Sequence, residues 1–127
     1  MRVLTSHQAK FVDEESIRKF KLSSIHLMDR AGRQIADVAK AMIENHKNSK
    51  IWVFCGKGNN GGDGFAASYY LLEEGFLLHI HYIGNENDIK GDPLVFYKKC
   101  KMDNISIEFG KKVNLTSCPS LIIDAIL

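Results

Sequence analysis

No stretch of this sequence stays apolar for the roughly 18–20 residues that a membrane-spanning helix requires. The opening residues, M-R-V-L-T-S-H-Q, also lack the apolar segment of a secretory signal. No charge sign dominates: 17 basic residues face 15 acidic ones, for a net charge of +2. That balance argues against a nucleic-acid partner, and no basic stripe with interleaved aromatics stands out. Lys98, Lys99, Lys101, Lys111 and Lys112 read as solvated surface. The three cysteines, Cys55, Cys100 and Cys118, are odd in number and lack Cys-x-x-Cys spacing. They are read as reduced thiols in a cytoplasmic protein, with Cys55 packed in the core. Internal repeats and low-complexity segments are absent, and no Gly-Lys-Ser/Thr marks a Walker A loop.

What remains is one small domain of 127 residues, long enough for a real core. The first 46 residues read as a helical arm. Thr5 followed by Gln8 fits a capping box, and 13–20 can form a short helix. Ser23 or Ser24 can cap a longer one over roughly 24–45, where Ile25, Met28, Ile35, Val38, Ala39 and Met42 recur at helical spacing. From residue 51 the pattern changes to alternating strands and helices. Ile51–Cys55 is apolar throughout, as in a parallel strand buried on both faces. A helix over about 63–74 follows, stopped by Gly75, then a strand over 77–83. Asp92-Pro93 supplies an N-cap and a first-turn proline for a helix to about Met102. Ile105, Ile107 and Phe109 alternate with polar residues, which suits a strand near the sheet edge, and 121–127 is a fourth strand. This rhythm predicts an α/β fold with an open, doubly wound, mainly parallel sheet. The link over 110–119 is short for a helical crossover.

The stretch over 51–64 reads I-W-V-F-C-G-K-G-N-N-G-G-D-G, with five glycines after an apolar strand. Glycines let a backbone approach a phosphate, and a helix N-terminus points amide hydrogens at the anion. A plain strand–helix turn needs fewer glycines and no paired amides. Asn59 and Asn60 add amide oxygens and Asp63 a carboxylate, which are hard donors suited to hydroxyls or to an alkali or alkaline-earth cation. Asp124 interrupts the apolar run L-I-I-D-A-I-L, where a carboxylate needs partners. In a sheet of order 3-2-1-4, counting from the strand at 51–55, the first and fourth strands are neighbours, and ligands bind beyond their carboxyl ends. That order would bring Asp124 to face the Asn60 loop.

Two lesser candidates stand beside these. His79 and His81 share a face of their strand, and without a third ligand at sensible spacing they read as a packed or surface pair. Glu86 lies near where an adenosine ribose acid sits in dinucleotide folds.

The motif G-K-G-N-N-G-G-D-G after an apolar strand resembles the signature of the YjeF N-terminal domain family, the NAD(P)H-hydrate epimerases. S-S-I-H-L-M-D-R-A-G is similar to that family's helix reading I-x-x-x-L-M-E-x-A-G, and I-I-D-A-I-L resembles the start of its D-A-[IL]-F-G-x-G segment. The resemblance implies a Rossmann-like α/β/α domain that interconverts the R and S epimers of hydrated NADH and NADPH (NADHX and NADPHX). It implies that Asn59, Asn60, Gly61, Gly62 and Asp63 contact this substrate, and that Asn60 and Asp124 bind a potassium ion. Inverting the hydroxyl-bearing carbon needs a proton carrier, for which Asp124 is the first candidate and Asp63 the second. A NAD(P)H-hydrate dehydratase, as a fused domain or a separate protein, is the implied partner. The family's domain continues past the segment matched here, so roughly its second half is expected to be absent. The fourth strand would then expose an unpaired edge that favours a homo-oligomer. Alternatives are a non-catalytic scaffold of the same fold associated with ligand or RNA, an inactive fragment, or an ordinary nicotinamide dehydrogenase. The last is disfavoured by the roughly 50 residues that precede the first strand.

Overall fold

Apolar strands separated by glycine-ended helices assemble here into a sheet of five strands, all parallel, in the computed structural model, which describes residues 2–4, 23–44, 48–114 and 117–127. The strands are β1 (Arg2–Leu4), β2 (Lys50–Cys55), β3 (Leu77–Tyr82), β4 (Ser106–Phe109) and β5 (Leu121–Ala125), in the order β1-β5-β2-β3-β4. Three helices accompany them: α1 (Ser24–Met42), α2 (Asn59–Glu73) and α3 (Asp92–Met102). From residue 51 onward the strands thus follow the order 3-2-1-4, the condition on which the Asp124 reading depends. None of these helices is long and apolar enough to cross a membrane.

The N-terminal expectation needs correction. Arg2–Leu4 is not helical but a strand, pairing with β5 from Arg2 opposite Leu121 to Leu4 opposite Ile123. The fourth strand of the core thus has neighbours on both sides, which removes the exposed edge argued from the sequence. Pairing with β5 is non-local, so a three-residue segment gives no periodic signal of it. The capping box at Thr5 and the helix over 13–20 lie outside the described residues.

The two faces of the sheet differ. Along β2, Ile51, Val53 and Cys55 point to one face, with Ile80 of β3 and Leu121, Ile123 and Ala125 of β5 beside them; all seven are fully buried. Helix α2 packs on this face against β2, β3 and β5, and α1 and α3 flank it. Phe65, Ala66, Ala67 and Leu71 form its buried stripe. Each fully buried Ile or Leu contributes roughly 1.5–3 kcal/mol of transfer free energy. The opposite face carries Lys50, Trp52 and Phe54, His79 and His81, Ser106 and Glu108, and Ile122 and Asp124. No helix covers that face among the described residues.

Helix boundaries shifted where glycine geometry decided them. Helix α2 starts at Asn59 rather than near 63, because Gly58, at φ +92°, turns the chain straight from strand to helix. The paired asparagines are therefore the first helical turn. Gly91, at φ +70°, takes the N-cap position expected for Asp92, with Pro93 inside the first turn. Helix α1 ends at Met42, slightly short of the expected end.

Candidate functional site at the carboxyl end of the sheet

In this strand order the chain leaves β2 for β3 on one side and returns as β5 on the other, so a crevice opens beyond the carboxyl ends of β2 and β5. The glycine spacing follows from how closely backbones meet there. The Gly56 N–H donates to the Ala125 carbonyl at 3.0 Å. A Cβ on Gly56 would lie 2.0 Å from the Ile126 carbonyl oxygen, and one on Gly61 would lie 1.9 Å from the Gly56 oxygen. Strand end, loop and helix start are thus in backbone contact, and side chains are excluded at these two positions. Gly58 differs, since its surroundings are open and only its positive φ requires glycine. Close packing by itself thus requires glycine at 56 and 61.

The first intrahelical bond of α2 runs from the Gly62 N–H to the Gly58 carbonyl at 3.3 Å. The N–H groups of Asn59, Asn60 and Gly61 precede it, at the positive end of a 15-residue helix. Beside them lies a cavity of about 460 Å³, bordered by the Gly56–Asn59 loop, Tyr82 and the 87–93 segment. Lys57 and Asp88 meet at its rim at 3.4 Å. The Asn85 N–H, and after it Lys57, hold the Asp88 carboxyl below its ordinary value.

The predicted residues take different places around this crevice. Asn59 is exposed and lines the cavity, and Asn60 is half-buried. Gly61, Gly62 and Asp63 are buried. Asp63 is only 1% exposed, and its charge helps burial and Cys100 push the Cys55 thiol well up. Asp124 is half-buried opposite Phe54, with Oδ1 accepting the Ile126 N–H at 3.2 Å. Asn60 and Asp124 share the carboxyl end of the β2/β5 pair, and no hydrogen bond joins them among the described residues. Glu86 is engaged elsewhere: it accepts from the Tyr97 hydroxyl and meets Lys101 Nζ at 3.3 Å, which together hold its carboxyl below normal. It does not border the cavity.

The second motif, L-M-D-R-A-G, seats α1 on α2. A Cβ on Gly32 would lie 2.3 Å from that of Ala66. The Tyr70 hydroxyl donates to Asp29, which also accepts from Arg33 Nε at 3.0 Å, and the Arg33 guanidinium lies 4.4 Å from the Tyr70 ring centre. Burial and the Asp29 bond push Tyr70 up to about 12.

Sequence reading left His79 and His81 without a third partner. The structure supplies Glu108 from β4, with ligand-capable atoms of all three residues within 4.8 Å of one another. Glu108 alternates with Ile107 and Phe109, so its face was legible, but its register against β3 was not. Burial holds His79 below its ordinary value, against the opposing pull of Glu108.

Comparison with known proteins adds the following. The family described as YjeF-related protein N-terminus matches residues 24–127. An NAD(P)H-hydrate epimerase of Entamoeba histolytica is 39% identical over 83 residues, covering 65% of this chain and 37% of that protein. The NAD(P)H-hydrate epimerase of Elusimicrobium minutum is 26% identical over all of this chain and 61% of its own length. A bifunctional NAD(P)H-hydrate repair enzyme of Moorella thermoacetica is 31% identical, with 72% of this chain matching 18% of that protein. The chain thus spans less than two thirds of each of these relatives. The crystal structure of yeast ynu0 superposes with a TM-score of 0.69 at 22% identity, over all of this chain and 57% of the yeast protein.

Proposed function

The chain belongs to the family of YjeF-related N-termini, and from that premise we propose that it serves the epimerisation of hydrated NADH and NADPH, the isomerase step of nicotinamide-cofactor repair. One observation carries the reading: the glycine loop and the α2 N-terminus, which border a cavity of about 460 Å³, and Asp124 of the neighbouring strand all lie at the carboxyl end of the parallel β2/β5 pair. Free amides at the helix start suit a nucleotide phosphate, with Asn59 and Asn60 placed for sugar or phosphate oxygens. Gly61 and Gly62 contribute the close-packed helix start, which keeps side chains away from the bound nucleotide.

The donor set fits potassium, since the Asn60 amide oxygen and the Asp124 carboxylate are hard ligands at one end of the β2/β5 pair. A bound potassium ion would supply positive charge next to the anionic nucleotide. The substrate hydroxyl sits on the carbon beside the ring nitrogen, so inversion takes one of two routes. Either the C–O bond breaks, leaving an iminium-like cation to which water adds on the other face, or the C–N bond breaks, opening the ring to an aldehyde that the nitrogen re-attacks from the other face. A carboxyl group balances the first route by giving a proton to the departing oxygen and taking one from the returning water, and the second by carrying the hydroxyl proton to the departing nitrogen and back. Asp124, half-buried at the strand end, is better placed for this than Asp63, which is enclosed in the core. Relatives named bifunctional repair enzymes support pairing with a second repair activity, which we assign to a dehydratase acting on the S epimer.

The test follows one purified epimer of hydrated NADH by chromatography, with and without potassium. The chain should equilibrate the epimers faster than buffer, and potassium should increase the rate. Asp124→Asn should lower that rate by about 10²–10⁴-fold. Equilibration no faster than in buffer, both for this chain and for a chimera carrying the remaining segment of the Elusimicrobium relative, overturns the reading.

A further inference from the structure

The face of the sheet that carries Trp52 holds a second cluster of donors, away from the glycine loop. We propose that His79, His81 and Glu108 bind a divalent transition-metal ion of the zinc class. Adjacent parallel strands β3 and β4 place His81 directly opposite Glu108 and His79 opposite Ser106. His79 Nε2 lies 4.0 Å and His81 Nδ1 3.9 Å from the same Glu108 oxygen, Oε2.

The hydrogen bonds around the cluster decide which nitrogens are available. His81 Nε2 is 2.7 Å from the Gly110 carbonyl oxygen, which can only accept, so Nε2 carries the hydrogen. In the neutral ring Nδ1 then holds a lone pair. His81 is 2% exposed, and Nδ1 is buried without a hydrogen-bond partner. It faces a carboxylate oxygen, so two acceptors point at one another, an arrangement that costs free energy unless a cation lies between them. His79 Nδ1 is taken by the Ser106 hydroxyl at 2.8 Å, which leaves Nε2 towards Glu108. Each imidazole thus uses one nitrogen outward, on a carbonyl or a hydroxyl, and turns the other inward. That outer bonding fixes tautomer and orientation in metal-bound histidines.

Two histidines and a carboxylate match the donor preference of zinc and its neighbours and disfavour potassium, which takes oxygen ligands. Bonds of about 2.0–2.1 Å at tetrahedral angles bring two ligand atoms to about 3.3 Å apart. Rotation of the Glu108 side chain, 55% exposed, can shorten its own two distances, and closure also requires the two imidazole nitrogens, within 4.8 Å of one another, to draw together. A fourth position would remain open. A cavity of about 300 Å³ bordered by Trp52, His79, Ser106, Glu108, Asn114 and Ser117 has room there for water or an exogenous ligand.

Trp52 is the chain's only tryptophan, and its ring centre lies 4.9 Å from that of His79, so its fluorescence reports on the site. The reduced 127-residue chain would be titrated with zinc chloride against a chromophoric chelator, and separately with cobalt chloride while Trp52 emission is followed. Wild type should take up about one ion per chain, and cobalt should quench Trp52. His79→Gln and Glu108→Gln should each weaken zinc binding by at least about tenfold and abolish the quenching at the same cobalt concentration. Because the Glu108 side chain is exposed, Glu108→Gln remains decisive should His79→Gln fail to fold. Equal affinity in wild type and Glu108→Gln, or no uptake by wild type, overturns the proposal.

Discussion

Val53 and Trp52 are neighbours on β2 and face opposite ways, as do Ile123 and Ile122 on β5. Val53 and Ile123 are fully buried beneath α2, in a layer filled by Phe65, Leu71 and Ile80. Trp52 and Ile122 share their face with two histidines, a serine and two carboxylates. On the first face the helices and close-packed glycines exclude water by apolar burial. On the second face burial is partial, and polar groups bond to neighbours: His79 to Ser106, His81 Nε2 to the Gly110 carbonyl, and Asp124 to the Ile126 N–H, with His81 Nδ1 left without a hydrogen-bond partner. Stability is therefore concentrated on the helical face, while groups able to bind or react collect on the other face and at the strand ends.

Substitutions on the two faces should separate cleanly by size of effect. Ile123→Ala should cost about 2–5 kcal/mol of unfolding free energy, as for other buried large-to-small changes. Gly61→Ala should cost about 1–3 kcal/mol by overpacking, because the obstacle is the Gly56 carbonyl rather than a flexible side chain. Ile122→Ala, one residue from Ile123 and only half-buried, should cost about 1 kcal/mol. Glu108→Gln without metal should shift stability by no more than about 0.5 kcal/mol, as for exposed sites. Urea denaturation followed by circular dichroism measures all four. An Ile122→Ala cost equal to that of Ile123→Ala would show the Trp52 face to be as well packed as the other, and the contrast would fail.

Much of the core could be read directly. The apolar runs at Ile51–Cys55 and Leu121–Ala125 and the helical spacing of α1 mark the elements, because burial imposes a period on each segment separately. The glycine loop could be located, but one physical requirement on it could not. Residues 56 and 61 look like phosphate-facing glycines in sequence, and only the tertiary contacts reveal that the backbones touch. The start of α2 was placed four residues late, since Asn-Asn-Gly-Gly reads as loop by local preference and is helical here because tertiary packing overrides it. Asp124 stands out in sequence as a carboxylate in an apolar strand, but its position at the same sheet end as the loop depends on the strand order that the structure contains.

The sequence by itself determined the parallel α/β class and the family signature, because alternation, apolar runs and a nine-residue motif are local properties. Only the tertiary structure decided that Arg2–Leu4 closes the edge of β5 and that Glu108 stands beside His79 and His81. The physical reason is the same in both cases. A strand's periodicity states which side of the sheet each residue faces, whereas its neighbour and register are set by pairing between segments far apart in the chain.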